Sequence, residues 1–226
     1  ILVAYYFGAS HDTDIFFYTY NSLIVITAFF MSMNSSVIIP ESMRIRLLEG
    51  NDKAMQFLNY FIVLYFSVML VGTALILANP VSFFSVVSNF STVQLSSQKS
   101  FLYLASPLFA MTCLITLLVD ILTSYKFFTI SMVVGIINGV SSILLVVAFH
   151  NSIGIKSVFY AFLLSYALNL VILVYLLVKY LGWKFTFRRI RLSKRICQNL
   201  GFAQLGNLTS TLSLYTPIYI LSGFNA

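Results

Sequence analysis

The sequence predicts an all-α integral membrane protein, a polytopic helical bundle, and three observations carry that expectation. Of its 226 residues, 60% are hydrophobic and only 8% are charged, against roughly 25% charged in ordinary soluble domains. Mean hydropathy is +0.95. Residues 15–40, 54–98, 100–119, 127–155 and 157–178 contain no Asp, Glu, Lys or Arg, and each run supplies the roughly 20 residues that cross a bilayer core. In lipid every backbone amide must bond internally, so such runs form helices. The weak alternating segments of a membrane barrel are absent.

The elements follow in order. Residues 1–7 form the end of a first segment, closed by Gly8 and a loop to Thr13. A second segment, 14–39, is expected to stop at Pro40-Glu41, since proline donates no hydrogen bond. The polar stretch 42–53 follows, with Arg44, Arg46, Glu49 and Asp52. The third segment, 55–78, is broken by Asn79-Pro80. The Ser-rich stretch 81–100 reads as an interfacial helix. Segments four to seven are 101–123, 127–149, 158–181 and 196–221, with a basic linker, 183–195, before the last. This makes about six complete spans plus pieces of one or two more. We read the chain as a fragment of a longer protein.

Orientation comes from Lys and Arg, which concentrate in cytoplasmic loops. The loops after segments two, four and six hold eleven of them. Those after one, three and five hold two, Lys99 and Lys156. The even loops are therefore expected in the cytoplasm and the His11 loop outside.

Polar side chains within spans are expensive in lipid and mark function or interhelical bonding. Segment four carries Thr112, Thr116, Asp120 and Thr123 on one face, and segment seven carries Gln204, Asn207, Thr211 and Tyr215. Segment two adds Asn21, Thr27 and Asn34, segment five Asn138, and segment six Ser165 and Asn169. These stripes line either a water-filled cavity or a set of interhelical contacts; the long, amide-bearing runs favour the cavity. Asp14, at the start of segment two, reads either as a helix cap or as a residue at a cavity mouth. Asp120 reads as an interfacial acid near the cytoplasmic end rather than an ion site. Gly135 and Gly139 are spaced for close helix approach. Arg188, Arg189 and Arg191 in the linker either bind anionic headgroups or serve topology alone. Cys113 and Cys197 fit neither a disulfide framework nor a metal site. We find no nucleophile–base pair, phosphate loop or zinc motif, and expect no cofactor, no metal, no nucleic-acid partner and no bond-breaking activity.

Tyr6-Phe7-Gly8-Ala9-Ser10 followed by Asp12-Thr13-Asp14-Ile15-Phe16-Phe17 resembles the "FGAG…TDAFF" stretch of the MurJ (MviN) lipid II flippase family. That family belongs to the multidrug/oligosaccharidyl-lipid/polysaccharide exporter superfamily. Val37-Ile38-Ile39-Pro40-Glu41 looks like its "FVP…E" end of helix two. Leu122-Thr123-Ser124-Tyr125-Lys126-Phe127 looks like its "LN…RF" turn, and Asn138 falls where the family has an Asn in helix five. The resemblance covers nearly the whole chain. It implies the N-terminal lobe of a MATE-like flippase over 1–182, a basic cytoplasmic linker over 183–195, and the first helix of a second lobe over 196–226. It implies multi-pass insertion in a bacterial inner membrane, contact with membrane lipids, and a lipid-linked saccharide as cargo. Alternating access would carry that cargo outward, with room for a coupling ion. Asp14 aligns with an acidic residue near the family's cavity mouth. One departure stands out. Where the family carries arginines late in helix two, this chain reads Thr27-Ala28-Phe29-Phe30. A flippase for another polysaccharide repeat unit, a multidrug carrier of the same superfamily, and a membrane-embedded glycan transferase are the alternatives.

Overall fold

A computed structural model describes residues 2–8, 10–186 and 193–224. These residues are helical apart from turns, and no strand occurs among them. The order is α1 (Leu2–Phe7), α2 (His11–Met33), a π-helical turn (Asn34–Ile38), α3 (Ile39–Glu49), α4 (Asn51–Ala78), α5 (Pro80–Val87), α6 (Thr92–Ser97), α7 (Lys99–Ser124), α8 (Ile130–Ile153), α9 (Lys156–Leu181) and α10 (Lys194–Phe224).

Five helical runs are long and apolar enough to cross a membrane: Asp12–Glu49, Asn51–Ala78, Lys99–Ser124, Ile130–Ile153 and Lys156–Leu181. The sixth expected span, α10, has 31 residues, ample length at about 1.5 Å per residue. Its Gln, Asn, Ser and Thr residues leave it less apolar than the other five.

Pro40 does not end the second segment. The helix passes through it and continues to Glu49. The π turn just before it makes this possible: the Ile39 N–H bonds back to Asn34 O, five residues away. This widened turn takes up the disruption that a proline ring brings to the preceding backbone. The polar stretch 42–53 is accordingly helical on both sides of Gly50, whose φ of +93° opens the turn into α4. The segment after Asn79-Pro80 is two short helices. The Asn79 side chain caps α5 through Ser82 N, and Ser91 and Gln94 form a capping box on α6.

The main core joins α2, α4, α7, α8 and α9, with Phe16, Leu58, Phe61, Met69, Leu117, Ile121, Phe159 and Leu173 among its buried members. Of the five spans α7 is the most buried and α8 the least. A smaller core of Ile15, Tyr18, Ile76, Phe84, Phe90, Leu95 and Leu102 closes one end under α5 and α6. Close glycine packing occurs at Gly72, where a Cβ would meet the Phe109 ring at 3.3 Å. Gly135 and Gly139 do not serve the close approach that their spacing predicts. Nothing lies within 4 Å of a Cβ at either, because both sit on the face of α8 away from α7 and α9.

The loops sort by parity. At one end Asp12 accepts a hydrogen bond from Gln98, the Tyr6 and His150 rings lie 4.1 Å apart, and the Lys156 ammonium sits 5.7 Å from the Phe101 ring. At the other end Arg46 donates to Ser124 O at 2.9 Å and lies 4.2 Å over the Tyr125 ring. The Tyr125 hydroxyl donates to Asn51 Oδ1 at 2.8 Å.

Candidate functional site

The polar side chains of α2, α4 and α7 converge on Asn34. It is fully buried at the first position of the π turn. Its Nδ2 donates to Asp120 Oδ2 at 3.0 Å. The Tyr65 hydroxyl lies 2.7 Å from Asn34 Oδ1 and 2.9 Å from Phe30 O. The Phe30 carbonyl is on offer there because the Asn34 N–H bonds to Met31 O, three residues back, just ahead of the π turn, and the Phe30 carbonyl takes the tyrosine hydroxyl. Asp120 therefore turns inward to Asn34 rather than outward to an interface, as its place near the helix end had suggested.

Beside this network lies a cavity of about 250 Å³, lined by Met31 of α2, Thr112, Thr116 and Asp120 of α7, Ser131 and Asn138 of α8, and Tyr166 of α9. The i, i+4, i+8 spacing of Thr112, Thr116 and Asp120 puts all three on its wall. Asn138 is held by Asn169, whose Nδ2 donates to Asn138 Oδ1 at 2.6 Å. Asn169 is itself fully buried on α9.

The remaining predicted residues lie elsewhere. Gln204, Asn207 and Thr211 are half-buried, on the face of α10 that packs along α2. Gln204 Nε2 reaches Phe29 O at 3.3 Å, and the hydroxyls of Tyr18 and Tyr215 meet at 2.8 Å. That stripe is a seam between helices and does not line the cavity. Thr27 is buried, its hydroxyl donating to Leu23 O at 2.7 Å. Asn21 is exposed. Asp14 is half-buried in the first turn of α2, 20 residues and about 30 Å along the helix from Asn34. It is not the cap. Ser10 caps α2 by accepting from Thr13 N, and the Thr13 hydroxyl donates to Gly8 O at 3.1 Å. Arg188, Arg189 and Arg191 lie outside the described residues.

The sequence reading did not pick out Tyr65, Asn59 or Trp183. Tyr65 was discoverable, since a tyrosine in the middle of an apolar span has a hydroxyl that demands a partner. Trp183 and Asn59 stand 124 residues apart, yet the indole Nε1 donates to Asn59 Oδ1 at 2.7 Å and Asn59 Nδ2 donates to Lys184 O at 2.7 Å. This pair fixes the start of the basic linker against α4. Among the described residues no three His, Cys, Asp or Glu side chains gather as a metal-ligand set.

A bundle of membrane-length helices with polar side chains turned into its interior defines an all-α, multi-pass membrane protein. The profile of the family described as "Lipid II flippase MurJ" matches residues 3–226. The chain belongs to that family, one of transporters rather than bond-breaking enzymes. The comparison with curated proteins gives no match.

Proposed function

We propose that this protein moves lipid II, an undecaprenyl-linked saccharide, from the cytoplasmic to the outer leaflet of a bacterial inner membrane by alternating access. The observation that carries the reading is the family match over residues 3–226. The polar interior supports it. The saccharide headgroup needs hydrogen-bonding surface at membrane depth, and the Asn34–Asp120–Tyr65 network and adjoining cavity present such surface inside the lobe. In this reading the lobe of α2 to α9 moves as a body against a second lobe that begins with α10. The α2–α10 seam is then the place where the two meet, and the π turn is the bend that lets α2 and α3 follow both.

One observation favours a second lipid-linked saccharide as cargo. Residues 27–30 offer a buried threonine and two aromatic rings where the family carries arginines, so a pyrophosphate finds no cation there. The test is rescue of a strain depleted of its own lipid II flippase, with protein abundance checked by immunoblot. The expected result is growth and outward delivery of lipid II, read from its accessibility to an enzyme added outside. Normal abundance without either, together with rescue of a polysaccharide-export mutant, would replace lipid II by the other cargo.

A further inference from the structure

Where α8 turns into α9, small side chains leave a gap on the outside of the bundle. Ser157 and Ala161 stand one turn apart on α9 and are 1% and 0% exposed. They form the floor of a groove of about 660 Å³. Phe149 and Ile153 of α8 and Tyr160 and Leu164 of α9 wall it, each 40–58% exposed. On α8 it runs from Ile153 down to Leu145, a distance of about 12 Å at the helical rise. That is most of one leaflet of a hydrocarbon core roughly 30 Å thick. The two ends of the groove differ. Leu145 and Leu164 make the deep end apolar. The shallow end carries the hydroxyls of Ser152, Ser157 and Tyr160, and none of the three is hydrogen-bonded among the described residues. Helical side chains lean toward the N-terminus, which on α9 is this shallow end. No charged group lines the groove. The neighbouring ones are turned elsewhere: Lys156 Nζ lies 5.7 Å from the Phe101 ring, and the His150 ring lies 4.1 Å from Tyr6, with Nδ1 2.9 Å from Val147 O.

An uncharged groove one leaflet deep, apolar below and lined with donors above, complements the acyl chain and ester of a phospholipid and makes no provision for the headgroup. We infer that one acyl chain of a phospholipid seats in it. The ester carbonyl accepts from Ser152 or Tyr160, and the methylenes lie against Phe149, Leu145 and Leu164. Because the chain and not the headgroup is recognised, anionic and zwitterionic lipids seat alike. The positive-inside bias makes this a lipid of the outer leaflet. The lipid wedges α8, the least buried span, against α9. The site rests on membrane insertion alone and stands apart from the identity of the cargo.

Photolabelling of the full chain in liposomes tests this, with a diazirine at mid-chain of either phosphatidylcholine or phosphatidylglycerol and adducts mapped by mass spectrometry. Label is expected on Leu145 and Leu164 several-fold above Val71 of α4, a comparably exposed position at a similar depth outside the groove. Both lipids are expected to give the same ratio. Ser152→Trp, at the exposed mouth of the groove, is expected to bring Leu145 and Leu164 down to the level of Val71 and to leave Val71 unchanged. Should that variant fail to fold, as judged by size exclusion, the ratio in wild type and the comparison of the two lipids carry the test. Even labelling of Leu145, Leu164 and Val71 overturns the inference, since the groove then holds only the lipid that surrounds any span. Labelling of the groove by phosphatidylglycerol alone overturns it as well, because a headgroup would then be what is recognised.

Discussion

Asn34 joins three helices: it receives Tyr65 from α4 and donates to Asp120 on α7. Asn34→Ala leaves the carboxylate without its donor, at about 1–3 kcal/mol for a buried unsatisfied group. Tyr65→Phe removes only the hydroxyl, a loss of about 1 kcal/mol. We expect Asn34→Ala to lower the thermal midpoint in detergent more than Tyr65→Phe, and the reverse order would show that the tyrosine organises the network. At the other end of α2, Ser10 and not Asp14 is the cap, so charge and capping separate cleanly. Ser10→Ala is expected to cost about 1 kcal/mol and to leave transport intact. Asp14→Asn is expected to reach normal abundance and fail to rescue a flippase-depleted strain, with Asp14→Glu partly active. Full rescue by Asp14→Asn would confine the residue to a structural part. Asp12, two residues away, accepts from Gln98, and the double variant Asp12→Asn with Asp14→Asn separates its charge from that of Asp14.

At the scale of elements, the helices were legible where apolar run length decides them, and misread where a distant partner does. The starts and ends of α4, α7 and α9 lie within a few residues of the expected segments 55–78, 101–123 and 158–181. Pro40 was read as a stop because the signal is local, whereas the π turn that accommodates it is held by Tyr65, 31 residues from Asn34. Glycine spacing on α8 said close packing, but the fold turns that face outward. The cavity wall on α7 was visible as a stripe; its neighbours on α8 and α9 were visible only as single amides, and their pairing emerges from packing. The linker anchor was invisible for the same reason. Gly182, in the left-handed region at φ +58°, ends α9 and points Trp183 back to Asn59 on α4. Trp183→Phe leaves Asn59 Oδ1 without that donor. We expect trypsin, applied to inside-out vesicles, to cut after Lys184 several times faster in the variant. An unchanged rate would mean that the indole hydrogen bond does not hold the linker.

For the whole molecule, the described residues of the even loops gather at one end and those of the odd loops at the other, so a chain inserted with the Arg46 end inside satisfies the positive-inside bias. In a background free of Cys113 and Cys197, His11→Cys is expected to react with an impermeant maleimide added to intact cells. Arg188→Cys is expected to react only after the membrane is opened. The opposite pattern would invert the molecule and remove the argument for outward transport. Fold class and loop parity were both readable from the sequence, because hydrophobic length and charge placement act on each segment separately. Which polar stripe lines a cavity and which seals a seam was not, because that depends on which helix α10 lies against, and it lies against α2.

The protein contains a single tryptophan, and it is Trp183, 3% exposed, with the Tyr125 ring 6.3 Å away. Selectively excited indole emission from the unmodified molecule therefore reports on one place, the joint between α9, α4 and the basic linker. A docked joint emits at short wavelength and accepts energy from tyrosine; a released one shifts to the red and becomes accessible to aqueous quenchers. Movement of the linker during transport is thus open to stopped-flow fluorescence without any attached dye.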